Sequence, residues 1–251
     1  MDKLPPILLT SSVTAMDQSV QLKDEKLRVF HTLESIQKWL DISPQNKYVL
    51  CDGSGFDFSL LVLERFPGAN IECISFSNDP DLIRLHGKGY GEGEIIRYAL
   101  EHSKTLLQSQ WFVKCTAKLW VDNFLECIQS WNGHFVCQAF FSNVFSFKKS
   151  QLEYVDTRFY MIDKDFYVNH LSKAHIGIGG PSGIGIEERF LEMVTREKLS
   201  RFLFEIPPVV CGMGGGSGKY YKDSRVRRLK ERFRAWLVSQ NSEFKLLFYK
   251  H

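Results

Sequence analysis

Three polar clusters stand directly behind short apolar runs. Thr10, Ser11 and Ser12 follow Ile7 to Leu9, Asp52 to Gly55 follow Tyr48 to Cys51, and Ser75 to Pro80 follow Ile71 to Ile74. In open α/β sheets, ligands bind beyond the carboxyl ends of the strands. These clusters therefore have the placement of a nucleotide or sugar site. A carboxylate at Asp52 can accept hydrogen bonds from a ribose hydroxyl or a base N–H. It can equally cap the turn that follows it.

The segment HGKGYGEGEIIRYAL carries Gly87, Gly89, Gly91 and Gly93 in alternation and then opens a helix. Glycines let backbone approach a ligand closely, and the free N–H groups of a helix start favour an anion such as a diphosphate. Lys88 adds a point charge beside Gly89. Glu92 and Glu94 would satisfy the same helix dipole without any ligand. The spacing is not that of the dinucleotide fingerprint. In WFVKCTAKLW, Lys114 and Lys118 are four apart. Even spacing on a strand puts both on one face, where two ammonium groups could neutralise phosphates or simply be solvated.

The acids come later. Asp156 in VDTRFY could hold a metal ion or sugar hydroxyls, and Arg158 could pair with phosphate or with Asp156. Glu187 and Glu188 stand at a helix start after a Gly-rich loop, where a carboxylate could deprotonate an acceptor hydroxyl. Compensation of the helix dipole is the alternative. The stretch VVCGMGGGSGKYY is not a P-loop, because Met213 occupies the place of the first glycine and Tyr220 that of Ser or Thr. It reads as a mobile loop that could close over the substrate, and the Gly-rich stretch HIGIGGPSGIGIEE as another loop around the site.

The elements that must position these groups follow from periodicity. Strands are expected at Ile7–Leu9, in YVLCDGSG and in IECISFS, with helices over 24–41 and in FSLLVLERF. Leu27, Phe30, Leu33, Ile36, Trp39 and Leu40 supply the apolar face of the first helix. Further helices are expected over 92–108, in EERFLEMVTREKL and over 224–239. WFVKCTAKLWV and HFVCQAF read as strands, FYMIDKDFYVNHL as a strand or loop entering a helix, and FKLLFY as a last strand or helix turn. The β-α-β-α-β start predicts an α/β fold with a mostly parallel, Rossmann-like central sheet flanked by helices. One domain is expected over 1–251, with 224–251 a basic C-terminal helical extension.

Composition narrows the class. Of 251 residues, 44% are apolar and 14% aromatic, enough for a sizeable core, and the net charge of +3 does not imply nucleic-acid binding. The six cysteines lack metal or disulfide spacing and sit in apolar runs, as buried thiols of a reducing compartment would. No run reaches the length of a membrane span, and the chain is expected to be cytoplasmic. Six of the ten residues from Arg225 to Arg234 are Lys or Arg, while Leu229, Phe233, Trp236 and Leu237 share a helix face. Such a helix can lie on an anionic membrane surface or pack on the core.

The order of these pieces resembles bacterial glycosyltransferases of GT-A-like fold that act in lipopolysaccharide, O-antigen or capsule synthesis. The likeness spans about residues 7–220. It rests on TSSV, the helix with Arg28, Thr32, Leu33, Ser35 and Ile36, then CDGSG, KGYGEGEII, FVK, DTRFY and GIEERF. The resemblance implies a nucleotide-sugar donor and transfer to a hydroxyl of a glycan or lipid-linked glycan, by an inverting enzyme peripheral to the inner face of the cytoplasmic membrane. Thr10, Ser11, Ser12 and Asp52 would hold the nucleoside, Lys88 and Gly89 the diphosphate or sugar, and Glu187, with Glu188 beside it, the catalytic base. The chain departs from the family in lacking an Asp-x-Asp metal motif; no acid follows the FVK strand before Asp122. Either Mn²⁺ or Mg²⁺ enters through Asp156, or Lys114 and Lys118 balance the diphosphate without metal. Two alternatives remain: an S-adenosylmethionine-dependent methyltransferase, and a non-catalytic nucleotide-sugar-binding protein on the same fold.

Overall fold

The computed structural model describes residues 4–146, 149–179 and 183–248. Gly180 to Ser182 of the first Gly-rich stretch and the last residues of the C-terminal extension lie outside the described residues. The chain starts as the periodicity predicts, with β1 (Ile7–Ser11), α1 (Glu25–Ile42), β2 (Tyr48–Asp52), α2 (Ser59–Arg65) and β3 (Ile71–Ser75). Helices α3 (Pro80–His86), α4 (Lys88–His102) and α5 (Lys104–Leu107) lead to β4 (Trp111–Thr116) and β5 (Leu119–Val121). After α6 (Phe124–Cys127) come β6 (Phe135–Ser142), β7 (Gln151–Asp163), α7 (Lys164–His170) and α8 (Ile186–Arg196). Strands β8 (Val210–Met213) and β9 (Tyr220–Tyr221) precede α9 (Arg225–Gln240) and a 3-10 turn at Lys245–Leu247.

Six strands form the central sheet in the order β3-β2-β1-β4-β7-β6. β1 to β4 are parallel, β7 is antiparallel to β4, and β6 antiparallel to β7. The α/β fold with a mostly parallel central sheet is thus present. Every residue of β1 and β2 is buried, as expected of strands covered on both faces. One apolar cluster joins Leu8, Ile96, Tyr160 and Phe190; the other joins Leu9, Trp39, Leu50 and Phe159 on the opposite face. A small antiparallel sheet, β5-β8-β9, stands apart.

Four expectations are corrected. WFVKCTAKLWV is two strands in two sheets, because the chain turns at Ala117–Lys118. Lys114 and Lys118 therefore do not share a strand face. Gly89, Gly91 and Gly93 lie inside α4, not in a loop. The chain from Val210 to Met213, read as loop, is strand β8 paired with β5.

The fourth correction concerns the buried face of α1. α1 exposes Leu27 and Phe30 and buries Arg28, Thr32 and Ser35 with Leu33, Ile36 and Trp39. Ser35 Oγ and Trp39 Nε1 both donate to the Leu119 carbonyl, at 2.7 and 3.0 Å, so the buried stripe is polar because it meets a turn. In α9, Val226 (76% exposed), Leu229 (69%), Phe233 and Trp236 face outward, while Arg227, Glu231, Arg234, Ala235 and Val238 face the body. No helix among the described residues is long and apolar enough to cross a membrane. All six cysteines are free, and burial pushes the thiols of Cys51, Cys73 and Cys115 up to about 12.

Candidate functional site

From β1 the chain winds outward through β2 and β3, then crosses back to place β4 on the other side of β1. Such a switch point leaves a crevice at the carboxyl ends of the two diverging strands. A cavity of about 440 Å³ lies there. Thr10, Ser11 and Ser12 reach it from β1, and Thr116 and Lys118 from β4. Lys88, Gly89 and Glu92 enter from α4, Glu187 from α8, and Thr157 and Arg158 from β7.

Two local features aim these groups. The pairing of β6 with β7 jumps from Cys137↔Tyr160 to Gln138↔Asp156, leaving Thr157, Arg158 and Phe159 without partners on β6. Bulges of this kind redirect side chains. Across the cavity, Gly214, Gly215 and Gly216 follow β8. A Cβ on Gly215 would stand 2.9 Å from Lys118 Cε, and one on Gly216 2.7 Å from Lys88 Nζ. The two glycines thus let the chain pass close to both lysine tips, which a side chain there would displace. The loop is held to the first loop of the chain by Gln21 N–H donating to Gly216 O and Leu22 N–H to Gly215 O, both at 3.2 Å.

Four cationic side chains line this cavity: Arg28, Lys88, Lys118 and Arg158. Arg28 is fixed by donating to the carbonyls of Ser12 (2.8 Å) and Leu22 (2.7 Å). Burial pushes the Lys118 ammonium down to about 7, and the Arg28 guanidinium adds to this; Asp52 and Glu92 act weakly the other way. An anion placed between Arg28 and Lys118 would therefore relieve a repulsion that the fold builds in. Ser11 Oγ is buried with no hydrogen-bond partner among the described residues and lies at the same cavity.

The carboxylates have distinct tasks. Glu92 Oε1 accepts from Lys114 Nζ at 2.5 Å, Thr10 Oγ1 at 3.0 Å and Thr116 Oγ1 at 3.3 Å. Burial pushes its carboxyl up, but Lys114 and these donors outweigh that and hold it below the usual range. Lys114 is wholly buried, and also donates to the Thr157 carbonyl at 2.7 Å. It is part of the sheet's interior and does not line this cavity. Glu187 accepts from Thr157 Oγ1 at 3.3 Å. Burial raises its pKa, with the charges of Glu92 and Glu188 adding and Lys88 opposing. Glu188 turns back to accept from Gly185 N–H at 2.9 Å, capping α8 as the helix-terminus alternative anticipated.

Asp52 is fully buried and does not line the cavity. Its oxygens accept from Val13 N–H (3.0 Å), Ser54 N–H (2.8 Å), Ser54 Oγ (2.6 Å) and Phe56 N–H (3.2 Å). It shapes the loops after β1 and β2. Asp156 is taken up by Arg158, whose Nε donates at 2.9 Å and Nη2 at 2.5 Å. Among the described residues, no three His, Cys, Asp or Glu gather as metal ligands, and these two aspartates are saturated by protein donors. Asp156, engaged through both oxygens by Arg158, does not fit as the ligand of a divalent ion.

The cavity thus brings together Thr10, Ser11, Ser12, Lys88, Gly89, Lys118, Arg158 and Glu187, but not Asp52, Lys114, Asp156 or Glu188. Arg28 and Glu92 were missed as site residues. A signal for Arg28 was present: it shares the i, i+4, i+7 stripe of Thr32 and Ser35. Glu92 gave none, since its partner Lys114 is 22 residues away.

No family model matches the chain, and no curated protein matches it. Solved structures share its shape at low identity. The inositol-1-phosphate CTP transferase of T. maritima superposes with a TM-score of 0.53 at 13% identity, over 92% of this chain and 96% of that one. A 4-diphosphocytidyl-2C-methyl-D-erythritol synthase matches with a TM-score of 0.42 at 11% identity, covering 93% and 99% of the two chains. The galactosyltransferase LgtC, solved with donor and acceptor sugar analogs, matches with a TM-score of 0.40 at 9% identity, covering 77% and 65%. The first of these shares the α/β fold of this chain over nearly its whole length.

Proposed function

We propose that this chain is a glycosyltransferase, moving a sugar from a nucleotide-sugar donor to a hydroxyl of an acceptor glycan. The observation that carries this reading is the cluster of Arg28, Lys88 and Lys118, with the Asp156-paired Arg158 beside them, around one cavity at the β1/β4 switch point. A leaving nucleoside diphosphate carries two to three negative charges, and preorganised cations that meet developing charge lower the barrier. They do here what a divalent ion would do elsewhere. The hydroxyls of Thr10 to Ser12 supply hydrogen bonds to the nucleoside. Glu187, with its raised pKa, takes the acceptor proton as general base.

A second reading is nucleotidyl transfer from a nucleoside triphosphate to a sugar phosphate. Near-complete coverage of the T. maritima CTP transferase favours it. The two are separated by their products. The purified protein is incubated, with EDTA and separately with Mn²⁺, with nucleotide sugars and with nucleoside triphosphates plus sugar phosphates. Release of nucleoside diphosphate supports glycosyl transfer, and release of pyrophosphate supports nucleotidyl transfer. Glu187→Gln should abolish turnover and retain donor binding. Absence of both products and of any nucleotide-induced melting shift would sink both enzymatic readings.

The outward apolar stripe of α9, flanked by exposed Arg225, Lys230 and Arg232, supports contact with an anionic membrane where a lipid-linked acceptor would lie.

A further inference from the structure

A second cavity, of about 230 Å³, opens between the ends of β6 and β7 and the inner face of α9. It meets the first cavity at Arg158, which lines both. β6 runs parallel to β4, since each is antiparallel to β7. Gln138 to Phe141 therefore lie at the same end of the sheet as Thr116 and Lys118. The two cavities are neighbours on one rim, separated by the Arg158–Asp156 pair and by Tyr221. That ring has the guanidinium of Arg158 at 5.3 Å and that of Arg227 at 5.8 Å.

The lining is unusual for a helix-on-sheet seam. α9 turns Arg227, Glu231 and Arg234 inward while its large apolar side chains face solvent. Other guanidinium groups at the cavity are already neutralised: Arg158 by Asp156, Arg228 by Asp122 and Asp223, and Arg232 by Glu126. Arg227 and Arg234 have no carboxylate partner among the described residues. Arg227 donates to the carbonyls of Val210 (3.4 Å) and Lys222 (3.2 Å), and Arg234 to that of Phe141 (3.5 Å). Glu231 likewise has no ion pair among the described residues. Phe140 and Tyr154, stacked at 5.3 Å between centroids, form an aromatic wall that is partly open.

We infer that this second cavity is the acceptor subsite and that it takes a sugar bearing an anionic group, a carboxylate or a phosphate. The aromatic wall suits the apolar C–H face of a pyranose. Glu231 and Gln138 accept and donate to hydroxyls, and Arg227 and Arg234 form charge-assisted bonds to the anion. A ligand so held projects a hydroxyl toward Arg158 and the first cavity. The inference rests on the transferase reading and names its acceptor class.

Saturation-transfer NMR on the full chain tests it, with glucuronate, glucose 6-phosphate and glucose as probes and UDP and CDP melting shifts as the control for the first cavity. Glucuronate or glucose 6-phosphate should receive saturation, the stronger of the two identifying the anion, and glucose should not. Arg234→Gln, and separately Arg227→Gln, should weaken binding about tenfold for a lost charge-assisted bond, with nucleotide shifts unchanged. Phe140→Ala, which removes the ring beneath the Arg234 guanidinium, should weaken it too. Equal response to glucose, no response to any probe, or full retention in all three variants overturns the subsite. A nucleotide shift that persists in that case leaves the donor reading standing. Anionic-sugar binding without any nucleotide shift sinks the transferase reading instead.

Discussion

Lys114 Nζ lies 2.5 Å from Glu92 Oε1, joining the middle of β4 to the first turns of α4. The lysine is wholly buried, and the glutamate is three-quarters so. Removing one partner of such a pair leaves the other charge uncompensated, at a cost of about 3–5 kcal/mol. Lys114→Met should lower stability by about that amount in urea denaturation. Glu92→Gln keeps a hydrogen-bond acceptor but strands the ammonium, and should cost a similar amount. A loss below about 1 kcal/mol in both variants would mean the pair is not formed.

The Lys118 ammonium titrates near 7 in the folded chain, against about 10.5 for an unburied lysine. Between those values the unfolded chain binds more protons than the folded one, so this group's contribution makes stability rise with pH across that window. A bound diphosphate favours the charged form and pushes the value back up. Binding of UDP or CDP near pH 8 should therefore take up a proton, seen by titration calorimetry in buffers of different ionisation enthalpy. Lys118→Met should abolish the uptake. Buffer-independent enthalpy in the wild type would place the phosphates elsewhere.

If Glu187 is the base, turnover should fall as pH drops through its raised pKa, because the protonated form cannot accept the hydroxyl proton. The acid limb of the rate profile should lie above the usual carboxylate range. An acid limb in the ordinary carboxylate range would assign the limb to another group.

Gly93 of α4 faces the buried ring of His175. A Cβ there would approach His175 Cγ to 2.2 Å, and His175 cannot easily retreat because its Nε2 lies 2.6 Å from Glu94. Helix propensity alone would favour alanine by about 1 kcal/mol, but overpacking costs about 1–3 kcal/mol. Gly93→Ala should thus lower the melting temperature by a few degrees. An unchanged or higher melting temperature would show that α4 does not approach His175 so closely.

If α9 touches a membrane, Leu229→Glu combined with Phe233→Glu should reduce co-sedimentation with phosphatidylglycerol vesicles at unchanged melting temperature, and salt should reduce it in the wild type. Equal partitioning of variant and wild type would reject the contact.

The first half of the fold was legible because β1, β2 and β3 are continuous apolar runs with polar ends, and their connections are short. The switch-point cavity follows from that pattern, which is why Thr10 to Ser12 and Lys88 were found. The rest was hidden by contacts distant in sequence. Gly89, Gly91 and Gly93 mimic a loop, yet they lie within a helix, Gly89 against Ile178 and Ile186, Gly93 against His175, and Gly91 against Ile83 on the other side. α1 buries Leu33, Ile36 and Trp39 of its apolar stripe, but tertiary partners drew in Arg28, Thr32 and Ser35 instead of Leu27 and Phe30. β8 is a short apolar run that leads straight into a glycine-rich stretch, and it forms a strand between β5 and β9.

The register jump in β7 divides the molecule's duties. Upstream, β1, β2 and β4 each have a sheet neighbour on both sides and tolerate little change. Downstream, the hairpin tip beyond Gln138 and Asp156 is attached to that block through one sheet neighbour and can lengthen, shorten or be exchanged without re-registering β1 to β4. Chimeras that graft a different hairpin tip and terminal helix onto this frame should keep the same nucleotide and accept a different partner molecule.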